Sequence, residues 1–381
     1  MRKSWDSRYA FSRRRELNSN CLFNKGDVMK NTMSRRDFFR RAGVGAVGLG
    51  FGVSLFDGIY QYAEALTEEE KHALLMKGSV NFMGFMAKEI TPNDEFYITT
   101  YSDKVPALDP KRFSLRIEGL VEKPYTLTLK ELEEMKDKTE FVTLECIGNP
   151  IGGDAISNAL WDGVTLKKII ERAAPKKGIV KTVFHAEDGY SDSIPYPLSL
   201  SEDLFLAYRM NGQPLPRKHG FPLRAIVPGI YGMKHVKWLS KIELVNYDFK
   251  GYWEKKGWSD DAIIPDKSQI LMPMEGKTVP LGNYVIGGVA FAGRYGISKV
   301  QVSIDNKRTW HDAELKPPLS KWSWTLWRYD WKPSKAGQYT ITVRGIDRAG
   351  KVQESPSLLG KLFRSFPDGA KGLHSVAVKV L

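Results

Sequence analysis

Phe141-Val-Thr-Leu-Glu-Cys146-Ile-Gly-Asn-Pro150 decides how this chain is read: an apolar run ends on a cysteine and breaks into a Gly/Pro loop. Apolar and β-branched residues predict a strand for the first half. The glycines of Ile147-Gly-Asn-Pro-Ile-Gly-Gly153 let backbone come close to a bulky group. A thiolate is a soft donor, suited to a soft metal centre or to nucleophilic attack. A quiet core cysteine is the bland alternative. The chain has one other cysteine, Cys21, upstream of what reads as a removable export signal. The exported form then keeps a single thiol with no disulfide partner, which invites a specific explanation.

The signal is Ser34-Arg35-Arg36-Asp37-Phe38-Phe39-Arg40-Arg41, a twin-arginine pattern. A Gly-rich, weakly apolar run over residues 42–56 and the small-x-small site Ala63-Glu-Ala65 follow in the right order. That run falls short of the roughly 20 residues that span a bilayer. An uncleaved N-terminal anchor is the rival reading. Residues 1–65 are expected to be the signal region and the periplasm the destination. Met29 and Met33 are alternative starts, because the 28 residues before Met29 are unlike a signal. Twin-arginine export carries folded proteins, so it suits an enzyme that receives a complex cofactor first.

Of 381 residues about 316 follow Ala65, enough for two full cores. An apolar share of 42% with 27% charged residues predicts a soluble globular protein. The formal charge of +13 falls to about +7 after Ala65, 45 Lys and Arg against 38 Asp and Glu. That excess permits an anionic ligand or an acidic protein partner and gives no sign of nucleic acid.

Thr67-Glu-Glu-Glu-Lys71 opens a short helix, followed by a loop to about residue 95. Up to about residue 247 strands and helices mix. Strands are expected at 113–117, 141–146, 180–185 and 221–227, and helices at 128–135 and 165–173. Past Pro265 the pattern changes to period-two runs at 284–291, 297–304, 322–327 and 338–344, with a turn at Asp305-Asn306-Lys307. Short alternating strands predict a β-sandwich of roughly 100 residues. The boundary falls near 250–270. The fold class is α+β, a mixed α/β domain over 66–260 and an immunoglobulin-like sandwich over 265–381.

Several motifs gather donors. Trp161-Asp-Gly-Val164 reads as a tight turn into a helix. His219-Gly-Phe-Pro-Leu-Arg224 and Gly232-Met-Lys-His235-Val236-Lys237-Trp238 bring His, Arg and Lys into Gly- and Pro-rich loops. Such loops suit a phosphate-bearing organic cofactor, because backbone N–H groups and cations neutralise it together. Singly, each residue could equally be a loop histidine, half a salt bridge or solvated surface.

Together these motifs, with Leu206-Ala-Tyr-Arg-Met-Asn-Gly212, make residues about 96–360 resemble the sulfite oxidase family of molybdenum–molybdopterin enzymes. The distal part resembles that family's dimerisation domain, through Val300-Gln-Val-Ser-Ile-Asp305 and Thr309-Trp310. The resemblance implies Cys146 as the protein's thiolate ligand to molybdenum. It implies Thr100, Tyr101, Asp188, His219, Arg224, His235, Val236 and Lys237 as the residues around the pterin and its phosphate. It also implies a homodimer. Two positions depart from the sulfite-oxidising members: Thr99 stands where they carry arginine, and Trp258 where they carry tyrosine. Threonine cannot form arginine's bidentate clamp on an oxyanion, and indole offers only an N–H. The substrate is therefore left open between a small oxyanion and a sulfoxide, with Thr99 and Trp258 as catalytic-site candidates beside Cys146. No haem signature is present, so a separate cytochrome or haem subunit is the expected electron partner. A periplasmic sulfoxide or oxyanion reductase on the same fold is the alternative. A cysteine-nucleophile hydrolase, with His185, His219 or His235 as base, belongs to another class.

Overall fold

The strand Lys138–Glu145, which delivers Cys146, is buried along nearly its whole length. It pairs antiparallel with Ile156–Thr165, also buried on both faces, and that strand pairs with Phe205–Met210. Arg224–Ile226 adds to the far side of Phe205–Met210. In this computed structural model residues 66–353 and 365–381 are described. The twin-arginine segment, the Ala63-Glu-Ala65 site and Cys21 lie outside the described residues.

A second sheet runs Tyr125–Thr128, Ser114–Gly119, Leu239–Val245, Lys181–Ala186 and Ser191–Pro195. Only the pair Ser114–Gly119 with Leu239–Val245 is parallel in it. Its apolar face packs on the helix Leu166–Arg172 and on strand residues of the first sheet, around Leu115, Ile117, Phe184 and Ile242. Among the described residues helices are few and short. Glu68–Leu75 and Leu129–Glu134 each start on a capping box, Thr67 with Glu70 and Thr128 with Glu131, in which side chain and backbone satisfy each other's donors.

The distal part is a sandwich of a four-stranded and a five-stranded sheet. Its core of Val300, Val302, Trp327, Ile341, Val343 and Val378 comes from the alternating positions of these strands. The binding domain followed by a β-sandwich is the order read from the sequence. Mostly β-structure surrounds the site, with less helix than a mixed α/β domain suggests.

Three local readings change. Residues 78–90 form a hairpin, Ser79–Phe82 with Phe85–Lys88, rather than a loop. Its strands are too short for a periodic signal, and its Phe85 is held by packing against Gly287. Trp161-Asp-Gly-Val164 is strand interior, not a turn. Gly163 is needed for close approach, since a Cβ there would sit 2.0 Å from the Leu206 carbonyl oxygen. Gly163→Ala is expected to cost about 1–3 kcal/mol through the shift this forces in two buried strands, read as a lower thermal midpoint; an unchanged midpoint would contradict the packing. Finally, the strand expected at 322–327 starts only at Thr325 and runs to Trp331. Residues 320–324 leave the sandwich to cover the edge of the cysteine strand. Thr143 N–H donates to Trp322 O at 2.9 Å, Trp324 N–H donates to Thr143 Oγ1 at 2.8 Å, and Ser320 Oγ donates to Phe141 O at 2.6 Å. Pairing an edge this way removes an exposed ladder of backbone groups.

Candidate active site

Where the strand Lys138–Glu145 ends, Cys146 N–H donates to Ala155 O and Asn149 N–H to Cys146 O, each at 3.0 Å, so the loop turns back on itself. Asn149 clamps that turn, its Nδ2 donating to Glu145 Oε1 at 2.9 Å and its Oδ1 accepting from Ala155 N–H at 3.1 Å. Gly152 and Gly153 press on His374 and Asn149. Of the loop's three glycines only Gly148 faces the cavity. Glu145 itself is buried and paired with Lys267 from the sandwich, so the second domain grips the base of the cysteine strand.

Cys146 is free and lines a cavity of about 190 Å³, partly open to solvent. Burial pushes the thiol pKa up, while the Gly148 N–H and the Thr99 hydroxyl draw it back. Thr99, Thr100, Tyr101, Asp188, His219, Arg224, His235, Val236, Lys237 and Trp258 all line the same cavity. These ten residues and Cys146 are therefore brought together, from segments up to 159 positions apart (Thr99 to Trp258).

Arg224 is buried at the centre. Its Nη1 donates to His219 O at 3.1 Å and its Nη2 to His235 O at 3.3 Å, tying the two donor loops together. The guanidinium lies 4.9 Å from the Trp161 ring centroid, the cation–π contact that fixes its plane. Its Nε is buried with no partner. Burial lowers its pKa to about 10, so it stays charged at neutral pH. Lys237 Nζ donates to Thr99 O at 3.0 Å and Lys218 O at 3.3 Å, pinning the 97–101 segment to the loop. Burial, then Arg224, pulls its pKa down to about 7.

The two histidines differ from simple anion ligands. His219 Nε2–H donates to Asn93 O at 3.0 Å, and burial followed by Arg224 lowers its pKa to about 4. His235 spends both ring nitrogens on backbone: Nε2–H donates to Ile230 O at 3.1 Å and Nδ1 accepts from Val227 N–H at 3.3 Å. Its pKa falls to about 3, first through burial. Both are neutral at pH 7, and the His235 ring shapes the loop rather than carrying charge. His185 pairs with Glu243 at 2.9 Å and does not line the cavity. The groups drawn against the sulfur are an N–H and a hydroxyl, with no imidazole among them, so nothing supports the nucleophile–base arrangement of a hydrolase.

Aromatic rings finish the walls. Trp258 packs edge-on against Trp253 at 6.4 Å and Phe366 at 5.2 Å. Tyr101 Oη donates to Asp188 O at 2.5 Å. Tyr97, Tyr190, Met233 and Trp253 also line the cavity, and sequence reasoning did not select them as site residues. Lys234 was missed too. It is 1% exposed and meets Asp192, Glu254 and Asp260, which lie 42, 20 and 26 residues away. Nothing local in the sequence signals such a cluster.

Among the described residues no group of three His, Cys, Asp or Glu could hold a metal. One thiol in the same cavity as a guanidinium with an unpaired nitrogen fits a metal that arrives with its own organic, anionic ligand. The comparisons agree. The chain matches the model of the oxidoreductase molybdopterin binding domain over residues 102–253 and of the Mo-co oxidoreductase dimerisation domain over 262–362. It is 33% identical over 313 residues to sulfite oxidase of Gallus gallus, covering 69% of this chain and 68% of that one. It is 31% identical over 340 residues to mitochondrial sulfite oxidase of Rattus norvegicus, covering 77% of this chain and 62% of that protein. The sulfane dehydrogenase SoxCD from Paracoccus pantotrophus shares the fold, with TM-score 0.65 at 21% identity over 86% of this chain and 92% of that one. These domains define a molybdopterin-binding oxidoreductase. The chain belongs to the sulfite oxidase family.

Proposed function

We propose that this chain is an exported oxidoreductase that moves an oxygen atom to or from a small sulfur-containing substrate, in the manner of a sulfite dehydrogenase. The observation that carries this reading is the lone Cys146 thiol lining a cavity together with Arg224 and Lys237. Cys146 is the residue to bind molybdenum. Arg224 and Lys237 supply positive charge for a phosphate, and the Val236 backbone, His219, Asp188, Thr100 and Tyr101 hold the organic frame. When bound, the cofactor supplies a two-electron change coupled to oxygen-atom transfer.

Arg224 does more than attract. It locks the 219 and 235 loops at fixed spacing, so the cavity is pre-shaped and little ordering is lost on binding. Neutral His219 offers directional hydrogen bonding without adding charge. Thr99, against the sulfur, provides a hydroxyl where an oxyanion clamp would need arginine. Trp258 and Trp253 make the neighbouring wall aromatic. Substrates in the range from sulfite-like oxyanions to sulfoxides fit this combination. Electrons are exchanged with a cytochrome or haem subunit, two copies pair through the second domain, and the twin-arginine segment directs the protein to the periplasm.

The test is made on protein from cells able to build the pterin. About one molybdenum per chain is expected. Turnover is then measured with sulfite plus an oxidised cytochrome and, in reverse, with sulfoxides plus a reduced dye. A metal-free folded chain, or metal-loaded protein inert in both directions, would sink the reading.

A further inference from the structure

Tyr190 lines the cavity, and its hydroxyl stands 2.7 Å from Asp192 Oδ2 and 3.0 Å from Met233 O. A carbonyl can only accept, and a phenol has one hydrogen. With Asp192 ionised the single phenol hydrogen is split between the two acceptors. With a hydrogen on Asp192 Oδ2, that carboxyl donates to Tyr190 Oη and the phenol gives Met233 O a full bond, so a proton on Asp192 is the better-satisfied arrangement. The charge balance points the same way. Lys234 faces Asp192 at 2.8 Å, Asp260 at 3.1 Å and Glu254. Asp260 is matched from its outer side by Lys181 at 2.7 Å and Lys250 at 2.8 Å. Asp192 and Glu254, 0% and 2% exposed, are left to share one ammonium. A second buried carboxylate beside a single cation is costly unless it binds a proton. Burial raises the Asp192 pKa; Lys234 pulls it down and Glu254 pushes it up again. Asp188, which accepts from Tyr190 N–H at 3.0 Å, adds negative field at the phenol.

We propose that Tyr190 and Asp192 form a proton-storing pair in the cavity wall: Tyr190 is a catalytic acid and base, and Asp192 is the positioning residue that refills it. The proposal rests on the oxygen-transfer reading above. Reducing an oxide X=O to X and water takes two electrons and two protons; the electrons come from the redox protein partner, and oxidation runs the same balance backwards. In the reducing direction the Tyr190 O–H bond breaks as an O–H bond forms on the departing oxygen. The Asp192 Oδ2–H bond breaks as the Tyr190 O–H bond re-forms. Asp192 is left as a carboxylate held by Lys234 Nζ at 2.8 Å and Ser193 N–H at 2.7 Å. Water supplies the second proton and the one that restores Asp192. The cavity's imidazoles cannot substitute, since His219 and His235 are neutral at pH 7 and hold backbone carbonyls.

Asp192→Asn keeps the shape and the acceptor toward Lys234 but stores no proton, and Tyr190→Phe removes only the hydroxyl. Infrared spectra of the full chain at neutral pH are expected to show a protonated buried carboxyl, absent in Asp192→Asn and shifted in Tyr190→Phe. In metal-loaded enzyme kcat should fall at least about tenfold in both variants, with KM little changed and the pH profile flattened. If Asp192→Asn does not fold, Tyr190→Phe decides alone. A missing carboxyl absorption, or wild-type kcat in Tyr190→Phe, overturns the proposal. Metal content of the same samples separates this from a failure of the functional reading, because the carboxyl absorption belongs to the polypeptide alone.

Discussion

Cys146→Ser is expected to lower turnover by more than about a hundredfold, beyond the 10–100-fold typical of losing an outer-shell partner of a metal site. The reason is donor chemistry. Serine replaces a soft, readily ionised sulfur with a hard hydroxyl that stays protonated at neutral pH. The backbone gives no reason for collapse, since the position is held by Cys146 N–H to Ala155 O and by Asn149 N–H to Cys146 O, both independent of the side chain. The expected result is therefore an unchanged circular-dichroism melt, loss of sulfur-to-metal absorption and loss of activity in both assay directions. A fully active serine variant would remove the metal assignment from this cysteine.

Lys234→Met is expected to destabilise the fold by about 3–5 kcal/mol, the cost of leaving the buried Asp192–Glu254 pair and its remaining negative charge without a cation. The lysine and its partners Asp192 and Glu254 are each at most 2% exposed, so solvent cannot take over. Methionine fills much of the space, which isolates the charge effect from a cavity effect. The deficit should also depend on pH. Without Lys234 the Asp192 carboxyl, already raised by burial, titrates higher still in the folded chain. The folded state then holds protons that the unfolded state has released, so stability falls as pH climbs through the carboxyl range. The gap between variant and parent should thus be smaller near about pH 4.5 than near about pH 7.5. Thermal melts at the two values read this directly, and an equal deficit at both would exclude unpaired carboxylates as its cause.

The contrast between these two positions shows what was legible. Cys146 stood out because a lone thiol at the end of an apolar run is rare and its chemistry is specific. The donor loops around His219 and Lys237 were visible because their residues are contiguous. Lys234 lies inside one of those loops and gave no signal, since its meaning depends on three acids distributed over separate elements. His235 looked like a cofactor ligand, but in the folded chain both of its ring nitrogens are committed to backbone. Trp161-Asp-Gly-Val164 looked like a turn, because glycine marks turns and close strand contacts alike.

By itself the sequence determined the order of the two domains, the alternating strands of the sandwich, the capped helices and the set of residues around one cysteine. These follow from local preferences and periodicity, which act within a few positions along the chain. The tertiary structure alone decided the rest: residues 320–324 sealing the cysteine strand, Lys267 reaching from the sandwich to Glu145, Arg224 spacing the loops, and the Lys234 cluster beside Tyr190. Those features depend on burial and on the pairing of charges brought together from distant segments. No window of sequence contains both partners.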